Sequence, residues 1–119
     1  MVTQTISRPK LQISLPRKKL AEFCKRWKVS ELAAFGSILR EDFRPTSDID
    51  LLVSFAPNAK VSLFDLARMQ NELKEILGRD VDMVERKAIE KSANYIRRKN
   101  ILESAKVIYA ARNKPKRTD

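Results

Sequence analysis

Leu20, Phe23, Cys24 and Trp27 recur three and four residues apart, with Lys18, Lys19, Lys25 and Arg26 off that stripe and Pro16 just ahead of it. This spacing predicts a helix over 15–27 with one apolar face, opened by a proline that suits a first helical turn. Cys24 falls on the apolar stripe, so it is expected in the core. Glu31-Leu32-Ala33-Ala34-Phe35 reads as a short buried strand that stops at Gly36-Ser37. Ile49, Leu51, Leu52, Val53 and Phe55 form a second β-prone run, interrupted by acids at its start and ended by Pro57-Asn58, and it is the expected central strand. Ser62 followed three residues later by Asp65 matches a capping box, after which Leu63, Leu66, Ala67, Leu73, Ile76 and Leu77 keep helical spacing until Gly78. Val81-Asp82-Met83-Val84 predicts a third strand, one or two helical segments occupy roughly 88–103, and 105–109 reads as a last strand. The order αββαβαβ is that of an α/β or α+β sheet domain.

With 119 residues, 43% hydrophobic and 34% charged, the chain fits one domain with one core. We divide it into a basic N-terminal arm over 1–14, a folded domain over 15–110 and a basic C-terminal tail over 111–119. No second domain for recognising a substrate is expected within this length, so acceptor specificity is expected to lie elsewhere. One cysteine and no histidine exclude a disulfide framework, a zinc cluster and a histidine-based triad built from this chain alone. No run of about 18 apolar residues occurs, and the first residues lack a signal-type apolar core, so a cytoplasmic protein without membrane contact is expected. The formal charge of +10 is unevenly placed: residues 1–28 hold eight Lys/Arg against one acid, residues 110–119 hold four against one, and residues 29–109 balance thirteen against thirteen. The excess sits at the ends with no aromatic stacking platform beside it, so direct nucleic-acid binding is not the favoured reading.

The chemistry concentrates between Phe35 and Val53, where Gly36-Ser37 is followed after ten residues by Asp48-Ile49-Asp50. Strand side chains alternate, so Asp48 and Asp50 share a face about 7 Å apart while Ile49 and Leu51 turn into the core. Adding Asp82 from a neighbouring strand gathers negative charge in one cleft. At an effective dielectric near 20, each like-charge pair at about 4 Å costs on the order of 4 kcal/mol, which a hard divalent cation such as Mg²⁺ would neutralise. Gly36 has no Cβ to hold phosphate oxygens away from the backbone, and the N–H groups that follow it, with the Ser37 hydroxyl, can donate to a triphosphate. Ser37 is a phosphate ligand here rather than a nucleophile, since no histidine is available to activate it. Arg40 and Arg44, in the connecting segment, are either phosphate partners or solvated loop arginines.

These residues resemble the nucleotidyltransferase fold shared with the polymerase beta superfamily, and within it the minimal nucleotidyltransferases that act as antitoxins beside HEPN toxins. The resemblance runs from the first helix through Phe35-Gly36-Ser37, Ser47-Asp48-Ile49-Asp50-Leu51-Leu52-Val53 and Val81-Asp82-Met83-Val84. It implies a mixed sheet flanked by helices, with Asp48, Asp50 and Asp82 as catalytic metal ligands and Gly36, Ser37, Arg40 and Ser47 as nucleotide contacts. It also implies two Mg²⁺ ions, ATP as co-substrate, and AMP transfer to a tyrosine hydroxyl of a cognate HEPN ribonuclease toxin, which that transfer silences. Asp80 shares strand parity with Asp82, but Asp82 is the one bracketed by Val81 and Met83 as the family pattern requires. Ile38-Leu39 departs from the small or basic residues often found after the Gly-Ser pair. The other readings are an antitoxin that neutralises by binding alone, a basic nucleic-acid module, and a small-molecule nucleotidyltransferase.

Overall fold

The computed structural model describes residues 14–41 and 43–111. Apart from residues 14 and 111, the two basic terminal segments expected from the sequence lie outside the described residues. The elements follow the order α1 (Arg17–Arg26), β1 (Val29–Phe35), a 3₁₀ turn (Gly36–Leu39), β2 (Ile49–Phe55), α2 (Leu63–Leu77), β3 (Val81–Glu85), α3 (Arg86–Glu90), α4 (Tyr95–Ser104) and β4 (Lys106–Ala110). The strands form one sheet in the order β3-β2-β1-β4. β1 runs antiparallel to both β2 and β4, whereas β2 and β3 are parallel, which requires a crossover connection that α2 supplies. The sheet is therefore mixed and flanked by helices, a small α+β domain.

Strand alternation divides the apolar residues into two layers. On one face Leu32, Ala34, Ile49, Leu51, Val53 and Val81 pack against Leu20, Phe23 and Cys24 of α1 and Met69 and Leu73 of α2. On the other, a smaller cluster joins Ala33, Phe35 and Leu52 to Ile89 of α3 and Ile101 of α4. Cys24 is fully buried, and burial pushes its thiol up to about 12, so it is apolar filling at neutral pH.

Helix α2 starts where its capping box does. Ser62 Oγ accepts from the Asp65 N–H at 3.1 Å, and the Asp65 carboxylate accepts from the Ser62 N–H at 3.0 Å. Gly78 ends it in the left-handed region at φ +72, its N–H donating to the Lys74 carbonyl. One departure from the sequence reading has a local cause. β1 begins at Val29 rather than Glu31, because Lys28 turns through φ +57 and its carbonyl accepts from the Ala56 N–H, which extends the pairing with β2. Of the one or two helical segments expected after β3 there are two, because Asn94 Oδ1 accepts from the Arg97 N–H and caps a fresh helix at Tyr95. No helix among the described residues is long and apolar enough to cross a membrane.

Chemical denaturation should rank three substitutions by these contacts. Leu73→Ala is expected to cost about 2–5 kcal/mol, Ser62→Ala about 1 kcal/mol, and Phe64→Ser, at an exposed position, no more than about 0.5 kcal/mol.

Candidate active site

The parallel register of β2 and β3 pairs Ile49 with Val81, Asp50 with Asp82 and Leu51 with Met83. The odd members of that ladder, Ile49, Leu51 and Val81, are buried in the larger core, which forces Asp50 and Asp82 onto the opposite face beside each other, their backbones about 4.8 Å apart. Asp48 lies immediately before β2 with the parity of Asp50. Helices α3 and α4 cover this second face around Leu52 and leave its β2 and β3 starts open, so Asp48 and Asp82 are exposed and Asp50 is half-buried.

On its other side β2 meets β1 with Asp50 opposite Phe35, which delivers the chain at Gly36 against the Asp50 carboxylate. A Cβ built on Gly36 would overlap Asp50 Oδ2 and stand 3.2 Å from its Cγ, and the residue sits at φ +78. Only glycine satisfies both conditions. Ser37 Oγ donates to the Asp48 carbonyl at 3.4 Å, and the Arg40 N–H closes the 3₁₀ turn onto the Ser37 carbonyl at 2.9 Å. Ile38 in that turn is fully buried and Leu39 packs on the same core, which accounts for the apolar pair after Gly-Ser.

Burial raises the Asp50 pKa, the charges of Asp82 and Asp48 raise it further, and Arg40 and Arg97 oppose the rise. Asp50 thus feels the charges of both other carboxylates and of two arginines from separate elements. Among the described residues no three acidic, His or Cys side chains close into a metal cage. The donor set nevertheless fits Mg²⁺: every donor is a carboxylate oxygen, two of the three side chains are exposed, and the charge on Asp50 is left only partly compensated.

The segment leading into Asp48 is pinned by Arg79. Its Nη1 donates to the carbonyls of Arg44 at 3.1 Å and Ser47 at 3.2 Å, and its guanidinium stacks 4.7 Å from the Phe43 ring centroid. Ser47 Oγ accepts from the Arg44 N–H at 3.0 Å, so this expected nucleotide contact also shapes the turn, while the Arg44 side chain is exposed. Asp80 pairs with Lys74 at 3.2 Å and is turned toward α2. Sequence reasoning missed Arg79 and Arg97: Arg79 follows the Gly78 helix stop and Arg97 opens the run Arg97-Arg98-Lys99, places that look like solvated surface, and only tertiary packing gives them other partners.

A cleft of ≈ 280 Å³ opens beside Gly36, floored by Phe35, Leu39 and Ile101 and rimmed by Arg40, Asn100 and Ser104. A cleft of ≈ 310 Å³ lies at the opposite end of β1 and β2, among Trp27, Lys28, Lys60 and Val61. The acids, not the volumes, decide which end carries the chemistry.

A carboxylate whose pKa is raised by folding binds its proton more tightly in the folded state. Stability therefore falls as pH rises from the ordinary carboxylate range through the raised Asp50 value, and the loss is complete above it. Asp50→Asn removes that penalty, so without divalent cations the variant should melt higher than the parent at pH 7, with the difference vanishing below the ordinary carboxylate range. Mg²⁺ should raise the parent's Tm and leave the variant's nearly unchanged; calorimetry in EDTA and in Mg²⁺ reads both. Gly36→Ala should lower Tm and displace the Asp50 carboxylate.

A family model described as the nucleotidyltransferase domain matches residues 17–108. MJ1217 of Methanocaldococcus jannaschii, named by inference as a protein adenylyltransferase, is 35% identical over 86 residues, covering 72% of this chain and 83% of its own. A solved structure of a minimal nucleotidyltransferase, also named so by inference, superposes with a TM-score of 0.58 at 32% identity, over 75% of this chain and 85% of that one. A third likeness is of fold alone: the complex of tri-AMPylated Shewanella oneidensis HEPN toxin with MNT antitoxin, at TM-score 0.54 and 18% identity, over 80% of this chain and 70% of that one. The matched span runs from α1 into β4 and takes in both strands that carry the acids and the Gly-Ser turn, so the chain belongs to the nucleotidyltransferase domain family.

Proposed function

We propose that this chain is a Mg²⁺-dependent protein adenylyltransferase of the antitoxin type, which transfers AMP from ATP to a tyrosine hydroxyl of a cognate HEPN ribonuclease toxin and so neutralises it. The observation that carries the reading is the pairing of Asp50 with Asp82 beside Gly36. The similarity to a relative named as a protein adenylyltransferase and to the fold of an antitoxin bound to an AMPylated toxin supports the choice of donor and acceptor.

Asp48, Asp50 and Asp82 would hold the metal, which when bound supplies Lewis-acid activation of the acceptor oxygen and neutralises phosphate charge. Gly36 lets the phosphates approach the backbone, and the N–H groups of the 3₁₀ turn with Ser37 Oγ donate to their oxygens. Arg40 and Arg97, both of which act on Asp50, offset phosphate charge. The tyrosine oxygen attacks the α-phosphorus in line; the new O–P bond forms as the bond to the β-phosphate oxygen breaks, and pyrophosphate leaves. Asp82, exposed on β3 beside Asp50, accepts the hydroxyl proton.

The purified chain and its cognate toxin, incubated with α-labelled ATP and Mg²⁺, should yield label on the toxin and loss of its ribonuclease activity. Asp48→Asn and Asp50→Asn should each reduce transfer by about 10²–10³-fold or more, whereas Asp80→Asn should leave it within about two-fold, consistent with the small worth of an exposed ion pair. A toxin that is silenced without acquiring label, equally by parent and Asp48→Asn, would replace catalysis with occlusion.

A further inference from the structure

Three features lie outside the acid trio: the basic cleft around Trp27 and Lys28, the exposed Tyr95-Ile96 pair, and the cleft between the Gly-Ser turn and α4. In the first, Arg26 is already paired with Glu72, which also accepts from Trp27 Nε1 at 2.9 Å, and Asp65 lines the same cleft, so little net charge is left to draw an anion. Nothing seats a partner on Tyr95-Ile96. The third is continuous with the site already described.

Resting on the function proposed above, we propose that the cleft between the Gly-Ser turn and α4 seats the base of the nucleotide, and that the side-chain amide of Asn100 reads that base as adenine. Three observations converge. First, Gly36 belongs to both places: it lies against the Asp50 carboxylate and it lines the ≈ 280 Å³ cleft, so a single mononucleotide can span from the acids into the cleft. Second, Arg97, Asn100, Ile101 and Ser104 fall at the i, i+3, i+4 and i+7 positions of one helix face. That face runs from Arg97, which faces Asp50, to Asn100 and Ser104 at the rim, while Ile101 anchors it against Phe35. Phe35, Leu39 and Ile101 give the cleft an apolar lining that suits an aromatic ring.

Third, the polar groups at the rim are unequal. Ser104 Oγ donates to the Asn100 carbonyl at 2.6 Å, so its proton is used within the helix and only its lone pairs face outward. The Asn100 side-chain amide has no hydrogen-bond partner among the described residues. It offers a coplanar donor and acceptor, the complement of the adenine N6 amino group and its neighbouring ring nitrogen. No carboxylate lines the cleft, so the paired N1–H and N2–H donors of guanine meet no matching pair of acceptors.

The test is titration calorimetry of the full chain with Mg²⁺ and ATP, GTP or inorganic tripolyphosphate, in the absence of any acceptor. The parent should bind ATP more tightly than GTP. Asn100→Ala should weaken ATP by about ten-fold or more while leaving tripolyphosphate affinity and Tm unchanged. Asn100→Asp, which replaces the donor with a second acceptor, should favour GTP over ATP. If the parent binds ATP and both variants keep its ATP:GTP ratio, the base assignment is overturned and the proposed function stands. If the parent binds neither ATP nor tripolyphosphate, the proposed function falls and the base assignment falls with it.

Discussion

The parallel pairing of β2 with β3 is the constraint on which the rest of the structure turns, because it sets two like charges side by side at Asp50 and Asp82. Left to themselves these carboxylates would separate. They are held because the alternating neighbours, Ile49, Leu51 and Val81, are locked in the larger core, and slipping the register by one residue would expose all three. Hydrophobic burial on one face thus fixes electrostatic crowding on the other. The crowding appears in the raised Asp50 pKa, whose causes are burial first and its two acidic neighbours next. A cation between them would turn that unfavourable arrangement into affinity.

The remaining elements make this crowding usable. Helix α2 carries the chain from the end of β2 back to the start of β3, and its two caps set where β3 begins. Antiparallel β1 brings Gly36 to Asp50, and the missing Cβ keeps the carboxylate next to the backbone donors that follow. Arg79 ties down the turn before Asp48 through two carbonyls and an aromatic ring, so the first aspartate of the trio leaves a fixed backbone. Helix α4 then closes one side of the cleft beside Gly36, with Asn100 and Ser104 at its rim.

Much of this was legible in the sequence where the signal is local. The apolar stripe of α1, the acid-interrupted run of β2, the Ser62–Asp65 capping box and the Gly78 stop depend on residues close in the chain, and their elements fall where the pattern places them. The Gly-Ser turn and the Asp-x-Asp pair were legible for the same reason, as a glycine of special conformation and a parity argument along one strand. What was not legible depends on packing at a distance. Val29 joins β1 only because the Lys28 carbonyl meets Ala56, Arg79 reaches back across more than thirty residues, and the α4 face acquires meaning only once Ile101 is docked on Phe35. A run such as Arg97-Arg98-Lys99 does not reveal which of its members turns inward.

The proposed function rests on a divalent cation held by Asp48, just ahead of β2, with Asp50 of β2 and Asp82 of β3, next to the Gly-Ser turn. Crystals grown with Mn²⁺ and a non-hydrolysable ATP analogue test it directly through the anomalous signal of the metal. The account predicts a peak within bonding distance of carboxylate oxygens from Asp48, Asp50 and Asp82, with the analogue's phosphates against Gly36 and Ser37. A peak at Asp80 and Lys74, or phosphates bound with no metal at the trio, would contradict it.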